Sequence, residues 1–230
     1  MFSRRKRIHR YGLFQPGVLM CILTVYLMHD ATAQSDSDFA SLTEAYADAM
    51  VNIADPAARG ARLGSLRDEA KQLLAREETA EHYYLLARIT GGYTTTQTNV
   101  LRMPGLLRDV RNGIEKALEM NPTLLEGVPT AYLGYLYVVA PGWPVSFGNK
   151  KKGIALLDEA MTMGAQNLAV NYFYAHRYGP GKDWQSMREQ LLKARSMAEP
   201  ESTQPMLQAL LLQSIDDDLA RAERQLANQP

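Results

Sequence analysis

Three segments between residues 110 and 200 repeat one pattern: a small or apolar residue, a large apolar residue, an alanine and a stop. They read Val110-x3-Ile114-x2-Ala117-x4-Pro122, Gly153-x3-Leu157-x2-Ala160-x4-Ala165 and Met187-x3-Leu191-x2-Ala194-x4-Glu199, with Pro200 directly after the last. Ala160 and Ala194 are 34 residues apart, the period of a repeat built from two helices and a turn. Ala117 and Ala160 are 43 apart, and the irregular stretch 140–148 accounts for the excess. The spacing predicts helix hairpins nested through a bare alanine methyl.

Apolar residues recur at three- and four-residue steps along most of the chain, and no stretch shows a convincing strand pattern. Short Gly- and Pro-containing breaks divide the chain into nine or ten predicted helices. We therefore expect an all-α protein, a short right-handed α-solenoid of consecutive helix hairpins. The clearest repeats span about residues 80–200 of one domain, 34–230.

Individual residues set the predicted helix ends. Gly91-Gly92 should end the helix that begins at Ala80, because glycine accepts left-handed backbone. Asn149 and Asp183 are predicted N-caps. Two short helices, about 206–214 and 216–227, should close the chain, with Asp216-Asp217-Asp218 as a favourable acidic first turn of the second.

The first 33 residues have the organisation of a secretory signal peptide. Five basic residues lead into an apolar run, 18–28, and then into Ala31-Thr32-Ala33. That run is shorter than the roughly 20 residues that a spanning helix needs, which disfavours a membrane anchor. Cleavage after Ala33 predicts a periplasmic protein with no stable membrane anchor after processing. Ser3-Arg4-Arg5 leaves twin-arginine export open beside the general route.

Charge and cysteine content exclude several classes of function. Without residues 1–33 the chain keeps 20 basic and 24 acidic residues, so its net charge is near −4. This balance argues against nucleic acid and against anionic membrane surfaces as partners. The single cysteine, Cys21, lies inside the signal, so the mature chain has no disulfide, thiol nucleophile or thiolate metal ligand. Leu19 and Met20 before it do not suit lipidation.

Leu133-Gly134-x2-Tyr137 followed by Ala160 resembles the tetratricopeptide repeat. Tyr174-Ala175-x2-Tyr178 followed by Ala194 resembles it again. Thr130 and Asn171 stand where that family usually begins its repeat with Trp. The resemblance implies the fold and says almost nothing about a ligand.

Three further motifs resemble the periplasmic T-component associated with TRAP-type solute transporters. They are Pro141-Gly142-Trp143-Pro144, the helix start from Gly148-Asn149-Lys150 to Leu156-Leu157, and Asn171-Tyr172-Phe173-Tyr174-Ala175. This resemblance implies a protein that binds the transporter's solute-binding protein and passes a small solute through a channel. The chain departs from that family in lacking a lipidation cysteine, which puts membrane tethering and the transport link in doubt.

Five aromatic or imidazole side chains are candidate binding residues: Tyr135, Trp143, Phe147, Tyr172 and His176. The repeat register places Tyr135, Tyr172 and His176 on the concave face, where tyrosine suits a groove that is partly apolar and partly wet. The alternative is that these tyrosines pack the core. Trp143 and Phe147 sit in the Pro/Gly-rich insertion, which either covers one end of the groove or folds back onto the solenoid.

No catalytic or metal motif is present, and His82 and His176 have no Glu or His at ligand spacing. We therefore expect no cofactor, no metal and no enzymatic activity. Lys150-Lys151-Lys152 opposes the helix dipole, which suggests a partner carboxylate or simply a solvated face. The preferred function is an accessory or docking protein that binds a partner protein or a small solute. A general envelope scaffold and, less favoured, an enzyme are the alternatives.

Overall fold

The computed structural model describes residues 37–99 and 101–228, and these residues form an all-α helical-repeat solenoid, as the sequence predicts. The predicted signal peptide and the Ala33 cleavage site lie outside the described residues. In chain order the helices are α1 (37–52), α2 (Pro56–Arg76), α3 (Ala80–Thr95), α4 (Met103–Met120), α5 (Val128–Val139), α6 (Lys150–Met163), α7 (Leu168–Ala175), α8 (Trp184–Arg195) and α9 (Pro205–Ala227). Short 3-10 turns at Leu124–Gly127 and His176–Gly181 precede α5 and follow α7.

The repeating alanines pack inside the helix stack. Helices α3 and α4, α5 and α6, and α7 and α8 form three successive hairpins, with α1 and α2 before them and α9 after them. Ala117, Ala160 and Ala194 lie in the second helix of each hairpin, and each is completely buried. The prediction that these three alanines are packed inside a stack of helix hairpins is confirmed.

Most helix starts follow from the residue that precedes them. Five N-caps accept hydrogen bonds from backbone N–H groups of the first turn; they are Asp55, Thr79, Asn149, Asn167 and Asp183. Such caps satisfy donors that have no partner within the helix. The predicted caps Asn149 and Asp183 are among them. Between Pro141 and Gly148 the insertion contains only an isolated bridge, Gly142 to Gly148.

The prediction that Gly91-Gly92 ends α3 is wrong, because α3 continues to Thr95. Both glycines allow close packing between helices, and neither ends the helix. A Cβ on Gly91 would collide with the hydroxyl of Tyr132, and one on Gly92 would lie 2.6 Å from the ring of Tyr46. The two glycines therefore let tyrosines of α5 and α1 approach the backbone of α3.

Helices α5 and α6 cross through a second pair of glycines. A Cβ added to Gly134 would lie 2.9 Å from the carbonyl oxygen of Gly153. A Cβ added to Gly153 would lie 2.7 Å from the carbonyl oxygen of Gly134. The backbones of this hairpin are thus in direct contact, a separation that no larger residue permits.

The two predicted C-terminal helices are a single helix, α9, of 23 residues. Ser214, where the break was expected, stays helical and donates its hydroxyl to the carbonyl of Leu210 at 2.9 Å. The interpretation of Asp216-Asp217-Asp218 as a first-turn cap is consequently wrong. Asp216 instead pairs with Arg195 of α8 at 3.4 Å, and Asp218 faces α7.

Helix α9 connects the two ends of the stack. Its Leu210 packs against a core cluster formed by α1, α2 and α3, while Ile215 and Leu219 pack with α7 and α8. At its N-terminus the carboxylate of Glu44, in α1, accepts hydrogen bonds from the backbone N–H groups of Met206 and Leu207 at 3.0 and 3.4 Å. The solenoid therefore closes on itself, first helix to last. None of the described helices combines the length and apolar character required to cross a membrane.

Candidate functional site

Closure of the helix stack leaves a central cavity of about 450 Å³ between α1, α3, α5, α7 and α9. Its volume is within the range of small-molecule sites, roughly 300–1,000 Å³. The walls are mainly aromatic and aliphatic: Phe39, Tyr46, Met50, Tyr84, Val128, Tyr132, Leu168, Tyr172, Phe173, Leu207, Leu210 and Leu211. We call this space the central cavity.

The helical period explains why these side chains meet. Along α1, Phe39, Thr43, Tyr46 and Met50 recur at four- and three-residue steps, so they share one face. The other helices contribute the same kind of stripe; Leu207, Leu210, Leu211 and Ser214 do so from α9. Each inner helix therefore points one stripe at the same space.

Arg88 is the one cationic side chain among the described residues that line the central cavity. It lies one turn beyond Tyr84 on α3, and its guanidinium carbon is 5.0 Å from the centre of the Tyr46 ring. Its Nη2 atom is buried and has no hydrogen-bond partner among the described residues. The hydroxyl of Thr43, also in the wall, is likewise buried without a partner. Two residues of the wall thus each hold one buried polar atom without a partner in the described part of the chain.

The tyrosines around Arg88 are neutral. Burial raises the pKa of Tyr84 to about 12, although the positive charge of Arg88 opposes the rise. Burial also raises the pKa of Tyr46 and, more strongly, that of Tyr132. At physiological pH their hydroxyls are therefore hydrogen-bonding groups without charge, and no phenolate compensates Arg88.

The two acidic residues of the lining, Glu126 and Glu199, are both exposed to solvent. Glu126 accepts a hydrogen bond from the side-chain amide of Asn167 at 3.5 Å. The described lining therefore carries one half-buried positive charge, on Arg88, and two solvent-exposed negative charges.

Three of the predicted binding residues come together beside the cavity. The Tyr135 ring lies 4.6 Å from the His176 ring, and the Tyr172 ring lies 5.2 Å from it, both edge to face. Tyr172 lines the central cavity, whereas His176 lines a smaller cleft with Val138, Trp184 and Arg221. The fold thus brings the three side chains into contact with one another, and α9 covers them.

Asp218 of α9 binds this cluster. Its Oδ2 lies 3.0 Å from Nε2 of His176 and accepts a hydrogen bond from the Tyr172 hydroxyl at 3.3 Å, and its Oδ1 lies 2.8 Å from Arg221. Burial opposes ionisation of Asp218, but the hydrogen bond and charge of His176, together with Arg221, outweigh it and hold its pKa below the usual value. The group joins α7 to α9.

Trp143 and Phe147 have different environments, although only three residues lie between them. Trp143 is 90% exposed, and neither residue lines the central cavity. Phe147 folds back: its ring contacts Tyr137 edge to face at 5.3 Å, and Arg111 lies 4.9 Å above it. Of the two alternatives for the loop, folding back applies to Phe147, while Trp143 projects outward.

One lysine of the run at the start of α6 pairs with a carboxylate of the same chain. Lys152 lies 3.7 Å from Glu115 of α4 and donates to the Tyr137 hydroxyl at 2.7 Å. Tyr137 in turn donates to Glu115 at 3.1 Å. Lys150 and Lys151 remain on an exposed surface.

Sequence reasoning missed the residues at the centre of the cavity, above all Arg88, Thr43 and Tyr132. A signal was present: Arg88 is a charged residue within an otherwise apolar stretch of α3 that also carries Tyr84. Within the described ranges no cluster of three or more His, Cys, Asp or Glu side chains is arranged to hold a metal ion.

Comparison with known proteins shows the class of fold: an all-α solenoid of the tetratricopeptide type. The chain is similar to the crystal structure of TTC0263, a thermophilic TPR protein of Thermus thermophilus, with a TM-score of 0.51. The two share 18% sequence identity, and the similarity covers 89% of this chain and 97% of that chain. No protein-family model matches the sequence. No curated protein matches it either.

Proposed function

We propose that the protein is an exported, non-catalytic binding protein that holds a small solute in its central cavity and docks to a protein partner. The cavity of about 450 Å³ carries the proposal, because its walls combine apolar side chains with a few buried polar atoms. That combination is typical of small-molecule sites. The signal-like N-terminus, residues 1–33, supports a periplasmic location.

Filling the cavity tests where a solute binds. Ala169 lines the cavity on α7, so Ala169→Phe should occupy part of its volume. Ala155 is exposed on α6, and Ala155→Phe is the matched control. A library of small metabolites would be screened by the melting temperature of each variant. We expect compounds that raise the melting temperature of the wild type and of the control but not that of Ala169→Phe. If every stabilising compound raised the melting temperature of all three proteins equally, the cavity would not be the binding site.

For the partner, we propose a solute-binding protein of a TRAP-type transporter. The three motifs within residues 141–175 support this, and so does a cavity of a volume suited to a small solute. A gene for a solute-binding protein and one for a permease beside this gene would add support. The direct test is titration of that purified solute-binding protein against this chain, with and without solute.

A general envelope scaffold is the second candidate, and the exposed apolar surface near the 141–148 loop favours it. Trp143 is 90% exposed, Val145 62% and Val139 49%. Exposed aromatic residues of this kind often anchor protein interfaces. If Trp143→Ala abolishes partner binding and Ala169→Phe does not, docking is independent of the cavity and the scaffold function is preferred.

A further inference from the structure

From the chemistry of its walls, and resting on the proposed function, we infer that the central cavity binds an amphipathic carboxylate whose head group pairs with Arg88 and whose apolar body lies among the tyrosines. Each of two wall residues has a polar atom that lacks a hydrogen-bond partner within the described ranges. Nη2 of Arg88 and the hydroxyl of Thr43 are buried without a partner among the described residues. Most buried polar atoms in folded proteins are hydrogen-bonded, so atoms left unsatisfied need a reason.

Arg88 is half-buried, and a cation partly withdrawn from water without a counter-charge is a cost to folding, which a neighbouring carboxylate would normally offset. The described carboxylates of the lining, Glu126 and Glu199, are instead exposed to solvent. The described part of the chain therefore leaves Arg88 uncompensated. A ligand that brings one negative charge supplies the missing partner.

Guanidinium geometry favours a carboxylate. The planar fork of arginine matches two carboxylate oxygens, and such pairs are stronger than hydrogen bonds between neutral groups. The Thr43 hydroxyl and the neutral phenols of Tyr46 and Tyr84 add donors at the same wall. A neutral hydroxyl can donate to an anion or accept from an ammonium group, so the positive charge of Arg88 is what favours the anion.

The rest of the cavity selects an apolar body. The rings of Tyr132 and Phe173 stack with centroids 5.3 Å apart, and Phe173 lies 5.1 Å from Tyr172. On the facing side, Leu207, Leu210 and Leu211 of α9 complete an apolar wall. Exposed Glu126 and Glu199 in the lining would repel a second carboxylate at the far end of the ligand. The ligand class is therefore a monocarboxylate with an aromatic or aliphatic tail.

Three compounds that share a phenylbutyl tail and differ only in the head group test this inference: 4-phenylbutyrate, 4-phenylbutanol and 4-phenylbutylamine. The affinity of each for residues 34–230 is measured by titration calorimetry. We expect the acid to bind roughly tenfold to a hundredfold more tightly than the alcohol, and the amine most weakly. Arg88→Met should remove the preference for the acid and leave the affinity of the alcohol unchanged, while Arg88→Lys should keep part of the preference.

Stability provides an independent readout, because Arg88→Met removes a half-buried charge together with its contact to the Tyr46 ring at 5.0 Å. The two effects oppose each other, so without ligand we expect its melting temperature to stay close to that of the wild type. Arg67→Met is the matched control: Arg67 donates to Thr90 at 3.2 Å and lies 5.7 Å from the Tyr93 ring, outside the cavity. It should lower the melting temperature and leave the preference for the acid intact.

The outcomes separate this inference from the function on which it rests. Equal binding of acid and alcohol, tighter binding of the amine, or a preference for the acid that persists in Arg88→Met would overturn the Arg88 inference and leave a solute-binding cavity in place. If none of the three probes binds, the inference fails. If, in addition, no library compound distinguishes Ala169→Phe from its control, the proposed function fails with it.

Discussion

The carboxylate of Glu44, in the first helix, accepts a hydrogen bond at 3.0 Å from the backbone N–H of Met206, 162 residues further along the chain. This contact caps the last helix with a residue of the first. A negative charge at a helix N-terminus satisfies donors that have no intrahelical partner and complements the helix dipole. Together with the packing of Leu210 on the cluster formed by α1, α2 and α3, this contact places the last helix beside the first, at the wall of the central cavity.

Removing the charge of Glu44 should loosen this closure. For Glu44→Gln we expect a loss of about 0.5–1 kcal/mol in the free energy of unfolding, the usual value of a charge at a helix terminus. Hydrogen exchange of the backbone amides 206–211 should accelerate. Glu69→Gln is the control, because Glu69 pairs with Arg62 at 3.4 Å on an exposed surface. Unchanged exchange in α9 would show that the contact does not hold the closure.

The glycine contact between α5 and α6 should not tolerate a methyl group. Gly134→Ala would place its Cβ 2.9 Å from the carbonyl oxygen of Gly153, and we expect a cost of about 1–3 kcal/mol in the free energy of unfolding. Gly105→Ala, in the first turn of α4, meets no atom within 4 Å and should be neutral or stabilising. Chemical denaturation measures both. Equal effects at the two sites would contradict direct backbone contact.

Asp218 should make the stability of the protein sensitive to acid. Its pKa is lower in the folded state than the usual value, so the folded protein binds fewer protons than the unfolded chain at mildly acidic pH. The stabilisation is therefore fully present above the unfolded pKa of about 4 and is lost as pH falls through the folded pKa. The wild-type melting temperature should fall on acidification below about pH 4.

Asp218→Asn tests this directly. We expect it to lose about 1–3 kcal/mol in the free energy of unfolding at pH 7, the cost of weakening hydrogen bonds to a charged buried group. The difference from the wild type should stay constant down to about pH 4 and shrink as the pH is lowered further. Asp217→Asn, at an exposed neighbouring position, should follow the wild type at every pH. A difference that stays constant with pH would rule out the charge of Asp218 as the cause.

The two large aromatics of the 141–148 loop should respond differently to truncation. Phe147→Ala removes the contacts with Tyr137 and Arg111 and should cost about 1–3 kcal/mol, less than a fully buried phenylalanine. Trp143→Ala removes a side chain that is 90% exposed and should change the free energy of unfolding by less than about 0.5 kcal/mol. Thermal melts compare them. A destabilised Trp143→Ala would mean that this residue packs against the solenoid.

The helix stack could be predicted from the sequence because its signals are local or periodic. Ala117, Ala160 and Ala194 indicate nested helices through their spacing, and Asn149 caps α6 through a bond to Lys152 three residues away. The prediction for Gly91 was wrong because glycine is common both at helix ends and where helices pack closely. Only the position of Tyr132, on another helix, decides between these roles.

The candidate site was only partly predictable for the same reason. Tyr135, Tyr172 and His176 contact one another because they share a repeat register, and that register can be recognised in the sequence. Their covering by Asp218 depends on the path of α9, which no local pattern specifies. Nη2 of Arg88 lacks a partner because none of the other described helices around the cavity places an acceptor beside it. This can be seen only in the assembled fold.

The most direct test of a closed solenoid that holds a ligand is a crystal structure of residues 34–230 grown with 4-phenylbutyrate. We predict density for the ligand inside the central cavity, its carboxylate within hydrogen-bonding distance of Arg88, and α9 in contact with Glu44. Ligand bound only on the outer surface, or an α9 displaced from α1 with no enclosed cavity, would contradict it.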